Sequence, residues 1–158
     1  MKVMICPLRS LAAKAETAGN CAALLSSSAD LAHIRLPDIF YVFRQYEDLD
    51  VETPGRSFSA EDAEMFAAFV RSLPENVDTV FCCCDAGQSR SPAVAAAVCR
   101  FFGMEDIDIW RDPSVHPNRL VFDLLTQALG VPVSDEEKDL RLYENQRAFR
   151  NAIRAARK

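Results

Sequence analysis

Val77-Asp-Thr-Val-Phe-Cys-Cys-Cys-Asp-Ala-Gly-Gln-Ser-Arg-Ser91 runs without a break into Pro92-Ala-Val-Ala-Ala-Ala-Val-Cys-Arg-Phe-Phe-Gly103. Thr79, Val80, Phe81 and Cys82 make an apolar, β-favouring run that ends at Cys84, a short loop containing Gly87 follows, and an Ala-rich helical pattern begins at Ser91-Pro92. Strand, loop and helix N-terminus in that order predict a βα unit. A loop this short turns successive backbone N–H groups toward one point at the positive end of a helix dipole, an anion nest of phosphate size.

Upstream, Lys2 to Cys6 reads as a short buried strand stopped by Pro7. Leu11 to Glu16 and Cys21-Ala-Ala-Leu-Leu25 are helical in composition, broken at Gly19-Asn20. Ala32–Arg35 and Phe40–Gln45 read as strands, in apolar runs too short to separate from helix by pattern alone. Glu47 to Gly55 is an acidic loop ending in a Pro-Gly turn. Ser59 caps a helix with acidic residues in its first turn, continued by Phe66, Phe69, Val70 and Leu73 as far as Pro74.

Downstream, Trp110 reads as a core or rim aromatic, and Arg111 to Asn118 is a loop in which His116 reads as a loop histidine. Asn118 is placed to cap a helix over Arg119–Leu129. Ser134-Asp-Glu-Glu137 is a capping box opening a last helix, with Arg141, Arg147, Arg150 and Arg154 mostly on solvated faces. Strands alternating with helices predict an α/β fold with a mainly parallel central sheet flanked by helices on both faces. The 158 residues fit a single domain over residues 1–158.

A net charge of −5 argues against nucleic acid or an anionic membrane surface as the main partner, since both require a basic footprint. The apolar run at Met1–Cys6 is too short for a secretory signal, and no segment has the length of a membrane span, so a cytoplasmic location is expected. Of the six cysteines, Cys82, Cys83 and Cys84 are consecutive, which is no disulfide framework, and all six read as thiols. The triplet alternates across a strand and has no second ligand pair at metal spacing, so neither a metal nor a cofactor is expected. Composition does not fix the oligomeric state.

Five residues separate Cys84 from Arg90, with Gly87 in the middle and Ser91 directly after the arginine. The planar fork of Arg90 matches two oxygens of one anion. The same field favours a thiolate at Cys84, making it a nucleophile. Attack on phosphorus gives a cysteinyl-phosphate that water then hydrolyses. Ser91 is placed to donate a hydrogen bond to the sulfur and help it leave. Asp85, Ala86, Gly87, Gln88, Ser89 and Arg90 are the candidate phosphate cradle.

Cys84-Asp-Ala-Gly-Gln-Ser-Arg-Ser91 closely resembles the phosphate-binding loop of the cysteine-based protein tyrosine phosphatases: Cys, five residues with a central Gly, then Arg-Ser/Thr. Pro117-Asn118 followed by Phe122 and Gln127 resembles the loop and helix that the dual-specificity branch carries after its catalytic helix. The resemblance spans roughly Tyr46 to Leu129. It implies a protein tyrosine phosphatase-like fold, and a general acid supplied by an Asp some tens of residues upstream of the nucleophile. Asp50 lies 34 residues before Cys84 and Asp48 lies 36 before it; spacing slightly favours Asp50, and the sequence leaves both open. The family usually has His before the nucleophile, where this chain has Cys83.

The function that follows is a metal-independent phosphomonoester hydrolase acting on a phosphorylated protein or a small phosphomonoester. A sulfurtransferase or arsenate reductase would use the same thiolate and oxyanion loop. A non-catalytic phosphate-binding module is a third reading, favoured only by the missing His. Asp85 and Gln88 stand where phosphoinositide-type relatives tend to carry lysines, which disfavours a polyanionic substrate. Cys82, Cys83 and Cys99 read as small core residues, with oxidation of Cys83 or Cys99 onto Cys84 as the sharper alternative.

Overall fold

The computed structural model describes residues 1–158. Four strands, β1 (Lys2–Pro7), β2 (Cys21–Ser27), β3 (Phe40–Gln45) and β4 (Thr79–Cys84), form one sheet in the order β1-β4-β2-β3. Every pairing is parallel. Six helices complete the chain: α1 (Leu11–Ala15), α2 (Ala60–Arg71), α3 (Arg90–Phe101), α4 (Ile107–Trp110), α5 (Arg119–Ala128) and α6 (Asp135–Ala156). None is long and apolar enough to cross a membrane.

β4 sits inside the sheet, paired with β1 on one side and β2 on the other. The register sets Cys83 opposite both Cys6 and Leu25, and Cys84 opposite Pro7, so the three strands end together. The βα loop after Cys84 therefore leaves from the carboxyl edge of the sheet, where open α/β sheets bind their ligands.

β2 corrects the helix expected at Cys21–Leu25. Ala and Leu favour a helix locally, but all seven residues of β2 are buried. Ala22 and Leu24 enter the main core with Val80, Cys82 and the inner faces of α2, α3 and α5. Cys21, Ala23 and Leu25 enter a smaller cluster on the opposite face with Cys6, Leu11, Phe81 and Cys83. A strand buried on both faces shows no alternation, so its pattern is indistinguishable from a buried helix.

That second face is covered more thinly than the first, by the short α1 and by irregular chain supplying Leu31, Ile34, Leu36 and Ile39. The strand expected at Ala32–Arg35 lies within this cover and is a turn instead. Its Ala32 N–H donates to the Asp30 carboxylate and its Ile34 N–H to the Leu31 carbonyl, so local bonds replace a ladder.

α6 overturns one further expectation. Arg141 is 8 % exposed rather than solvated, because it makes a two-pronged ion pair with the buried Asp106. Asp106 also accepts from the Trp110 indole N–H, so one carboxylate ties α6 to α4. The other termini behave as read: Ser59 and Asp62 form a reciprocal capping box on α2, Ser134 and Glu137 another on α6, and Asn118 caps α5.

Candidate active site

Cys84 ends β4, and the chain turns at once so that Arg90 opens α3. Gly87 makes that turn at φ +71, in the left-handed region where side chains are disfavoured. An added Cβ would lie 3.0 Å from the Pro7 nitrogen and 3.1 Å from the Cys6 carbonyl carbon. The loop is therefore laid against the end of β1 with no space for a side chain.

Two groups converge on the Cys84 sulfur: the Gly87 N–H donates to it at 3.2 Å, and the Ser91 hydroxyl lies within hydrogen-bond reach at 3.1 Å. Both are suited to a sulfur bearing negative charge. The N–H groups of Asp85, Ala86, Gln88, Ser89, Arg90 and Ser91 have no protein acceptor. Two loop carbonyls, by contrast, are occupied from outside, Gln88 accepting from the His116 N–H and Ser89 from the Asn118 N–H.

Arg90 is 6 % exposed. Its Nη1 donates to the Ser28 hydroxyl and the Tyr46 carbonyl, both at 2.9 Å, and its Nη2 donates to Asp85 at 2.8 Å. Its Nε is the only buried side-chain nitrogen or oxygen in the protein without a hydrogen-bond partner. A guanidinium has five N–H donors, so the Nε–H and one Nη2–H remain, the pair needed for two oxygens of one anion.

Asp85 is held on three sides, by the Ser27 hydroxyl at 2.6 Å, the Ser28 N–H at 3.3 Å and Arg90. Burial works to raise its carboxyl, but the hydrogen bonds from Ser27, Ser28 and Arg90 outweigh burial and hold it below the usual carboxylate range.

The two upstream acids separate. Asp48 reaches the loop: its Oδ1 accepts from the Ser89 hydroxyl and from Asn118 Nδ2, each at 2.8 Å. Asp50 instead lines a neighbouring cleft of about 450 Å³ with Trp110, Arg119, Leu120 and Lys138. The same Asn118 caps α5 through its Oδ1, so one side chain fixes both the helix start and the acidic loop.

Cys83 points away from the loop. Its sulfur lies 3.4 Å from that of Cys6 in the smaller core cluster, and the hydrogen bond to Cys6 and burial push its thiol up. All six cysteines are free. Cys99, buried on α3, has its thiol pushed up to about 11 by burial and by Asp106.

Several supporting residues had no signal in the sequence. Ser27 and Ser28 lie at and just beyond the end of a strand whose pattern reads as helix. Tyr46 acts through a backbone carbonyl. Asn145, buried on α6, donates to the Trp110 and Val115 carbonyls and contacts His116 Nδ1 at 3.1 Å. It thereby secures the segment whose next backbone bonds reach Gln88 and Ser89.

No family model and no curated protein matches the chain. Solved structures do share its fold. The human tyrosine phosphatase-like serine/threonine/tyrosine-interacting protein aligns over 82% of this chain and 91% of its own, at 18% identity and a TM-score of 0.56. A mouse putative dual specificity phosphatase aligns over 85% of this chain and 81% of its own, at 17% identity and a TM-score of 0.54. PTPMT1, solved in complex with PI(5)P, aligns over 82% of this chain and 90% of its own, at 11% identity and a TM-score of 0.55.

Proposed function

From a protein tyrosine phosphatase-like fold, we propose that this chain is a phosphomonoester hydrolase of the dual-specificity type that uses Cys84 as nucleophile and needs no metal ion. The observation that carries the reading is Arg90, buried, fixed on three sides, and left with an unpartnered Nε beside a loop of unpaired N–H groups. Fixed donors aimed at one point stabilise the charge of a transferring phosphoryl group without reorganising during the reaction.

In the first step the Cys84 thiolate attacks phosphorus, forming an S–P bond as the ester P–O bond breaks. Asp48 delivers its proton to the leaving oxygen. Oδ1 of Asp48 already accepts two hydrogen bonds, so Oδ2 is the oxygen free to exchange a proton with the substrate. In the second step water attacks phosphorus, Asp48 takes the proton, and the sulfur leaves as thiolate stabilised by Ser91 and Gly87. The products are the free hydroxyl compound and inorganic phosphate.

The substrate class is a phosphorylated protein side chain or a small phosphomonoester. PTPMT1 was solved with a phosphoinositide, but here Asp85 and Gln88 occupy the loop and supply no cation for a second phosphate. A thiolate in an oxyanion loop would also suit a sulfurtransferase or arsenate reductase; an acid at Asp48 favours phosphate. A phosphate-binding module without turnover is favoured by Cys83, which faces Cys6 and gives the loop no side-chain support.

Hydrolysis of an aryl phosphate in EDTA, with orthovanadate as inhibitor and Cys84→Ser as control, tests the proposal. Turnover that requires a metal, or that survives in Cys84→Ser, refutes it. A parent that binds phosphopeptide without turning it over supports the binding module instead.

A further inference from the structure

The loop carries its own anion. Asp85 follows the nucleophile directly, and its carboxylate rests on the same Arg90 Nη2 that keeps one N–H open. With the Asp85 oxygen 2.8 Å from that nitrogen and a bound oxyanion at an ordinary hydrogen-bond length, the two oxygens lie no more than about 6 Å apart. Asp85 is also the only carboxylate paired with Arg90. It is tied back to the end of β2 through Ser27 and Ser28, so its position is set by the sheet.

Resting on the phosphate-loop reading, we infer that Asp85 is a positioning and specificity residue. Its hydrogen bond fixes the Arg90 fork, and its charge restricts the site to ligands with one anionic group. The two roles act in opposite directions on affinity. Fixing the fork strengthens binding, because a free guanidinium must be ordered before it can meet two oxygens at once. A carboxylate within about 6 Å weakens binding of any anion, by about three- to tenfold where water screens the pair. A second phosphate on the ligand, with no cation to meet it, meets that repulsion again.

Two substitutions separate the roles. Asp85→Asn keeps an oxygen for Arg90 Nη2 and the Ser28 N–H, and its amide N–H faces the Ser27 hydroxyl, so position is retained and charge removed. Asp85→Ala removes both. Orthovanadate affinity is measured by calorimetry at pH 7.5 for the parent and both variants, with thermal melts to show that each is folded. The expected order is Asp85→Asn tightest, by about three- to tenfold over the parent from the charge removed, and Asp85→Ala weaker than the parent.

Rescue by the amide beyond the parent is a result that a merely structural role does not give. Variants with equal affinities, or an Asp85→Asn protein no tighter than the parent, overturn the inference. A parent that binds no vanadate refutes the phosphate-loop reading itself. A parent that binds it while neither variant differs refutes only the role of Asp85.

Discussion

Replacing Asp48 by Asn removes a transferable proton while leaving the hydrogen-bond geometry in place. The Asn oxygen still accepts from the Ser89 hydroxyl and from Asn118 Nδ2, the two bonds that hold Asp48 on the loop. Stability should therefore move by no more than about 0.5 kcal/mol, as for a surface substitution that breaks nothing. Activity should fall much further, because a positioned general acid contributes about 100- to 10,000-fold. The loss depends on the leaving group. Phenyl phosphate, whose phenolate is a strong base, should lose about 100-fold or more in kcat/KM, which reports the step that expels the leaving group. Nitrophenyl phosphate, whose leaving group departs well unprotonated, should lose far less. Asp50→Asn should leave both substrates near the parent, since Asp50 faces the cleft beside Trp110 and Arg119. Steady-state kinetics on the two esters decides the matter. Equal losses on both esters, or a larger loss in Asp50→Asn, would refute the assignment of the proton to Asp48.

Three further outcomes follow from the same geometry. Arg90→Lys offers one compact ammonium in place of a fork and abandons Ser28 and Tyr46, so kcat/KM on an aryl phosphate should fall about 10- to 100-fold; a loss under threefold contradicts the donor count. Arg141→Met leaves Asp106 buried without its cation and should cost about 3–5 kcal/mol in urea unfolding, and a shift below 1 kcal/mol would show that the pair does not secure α6. Between pH 9 and about 11 an unfolded chain has lost the Cys99 proton that the folded chain still holds, so stability falls as pH rises. Urea midpoints across that range should decline less steeply in Cys99→Ala, and parallel declines would sink the assignment.

Much of the site was legible because it is local. Cys84, Gly87, Arg90 and Ser91 lie within one strand, turn and helix start, where the backbone path follows from residue type and spacing. A glycine flanked by a strand end and a helix N-terminus announces a left-handed turn, and Gly87 adopts one. Helix starts at Ser59, Asn118 and Ser134 were readable for the same reason, since a cap is a contact between residues three apart.

What the sequence determined by itself was thus the local frame of the candidate site: a βα loop with a cysteine at one end and an arginine at the other. Only the tertiary structure decided which residues serve it. Asp48 and Asp50 are two positions apart, and spacing slightly favoured Asp50; contacts 41 and 70 residues distant, to Ser89 and Asn118, place Asp48 at the loop. β2 reads as a helix until burial on both faces makes it a strand, and with it come the serines that hold Asp85 and Arg90. The physical reason is common to both cases. Turn and cap energies depend on neighbours in the chain, whereas the partner of a buried charge and the state of a strand without alternation are set by elements that meet only after folding.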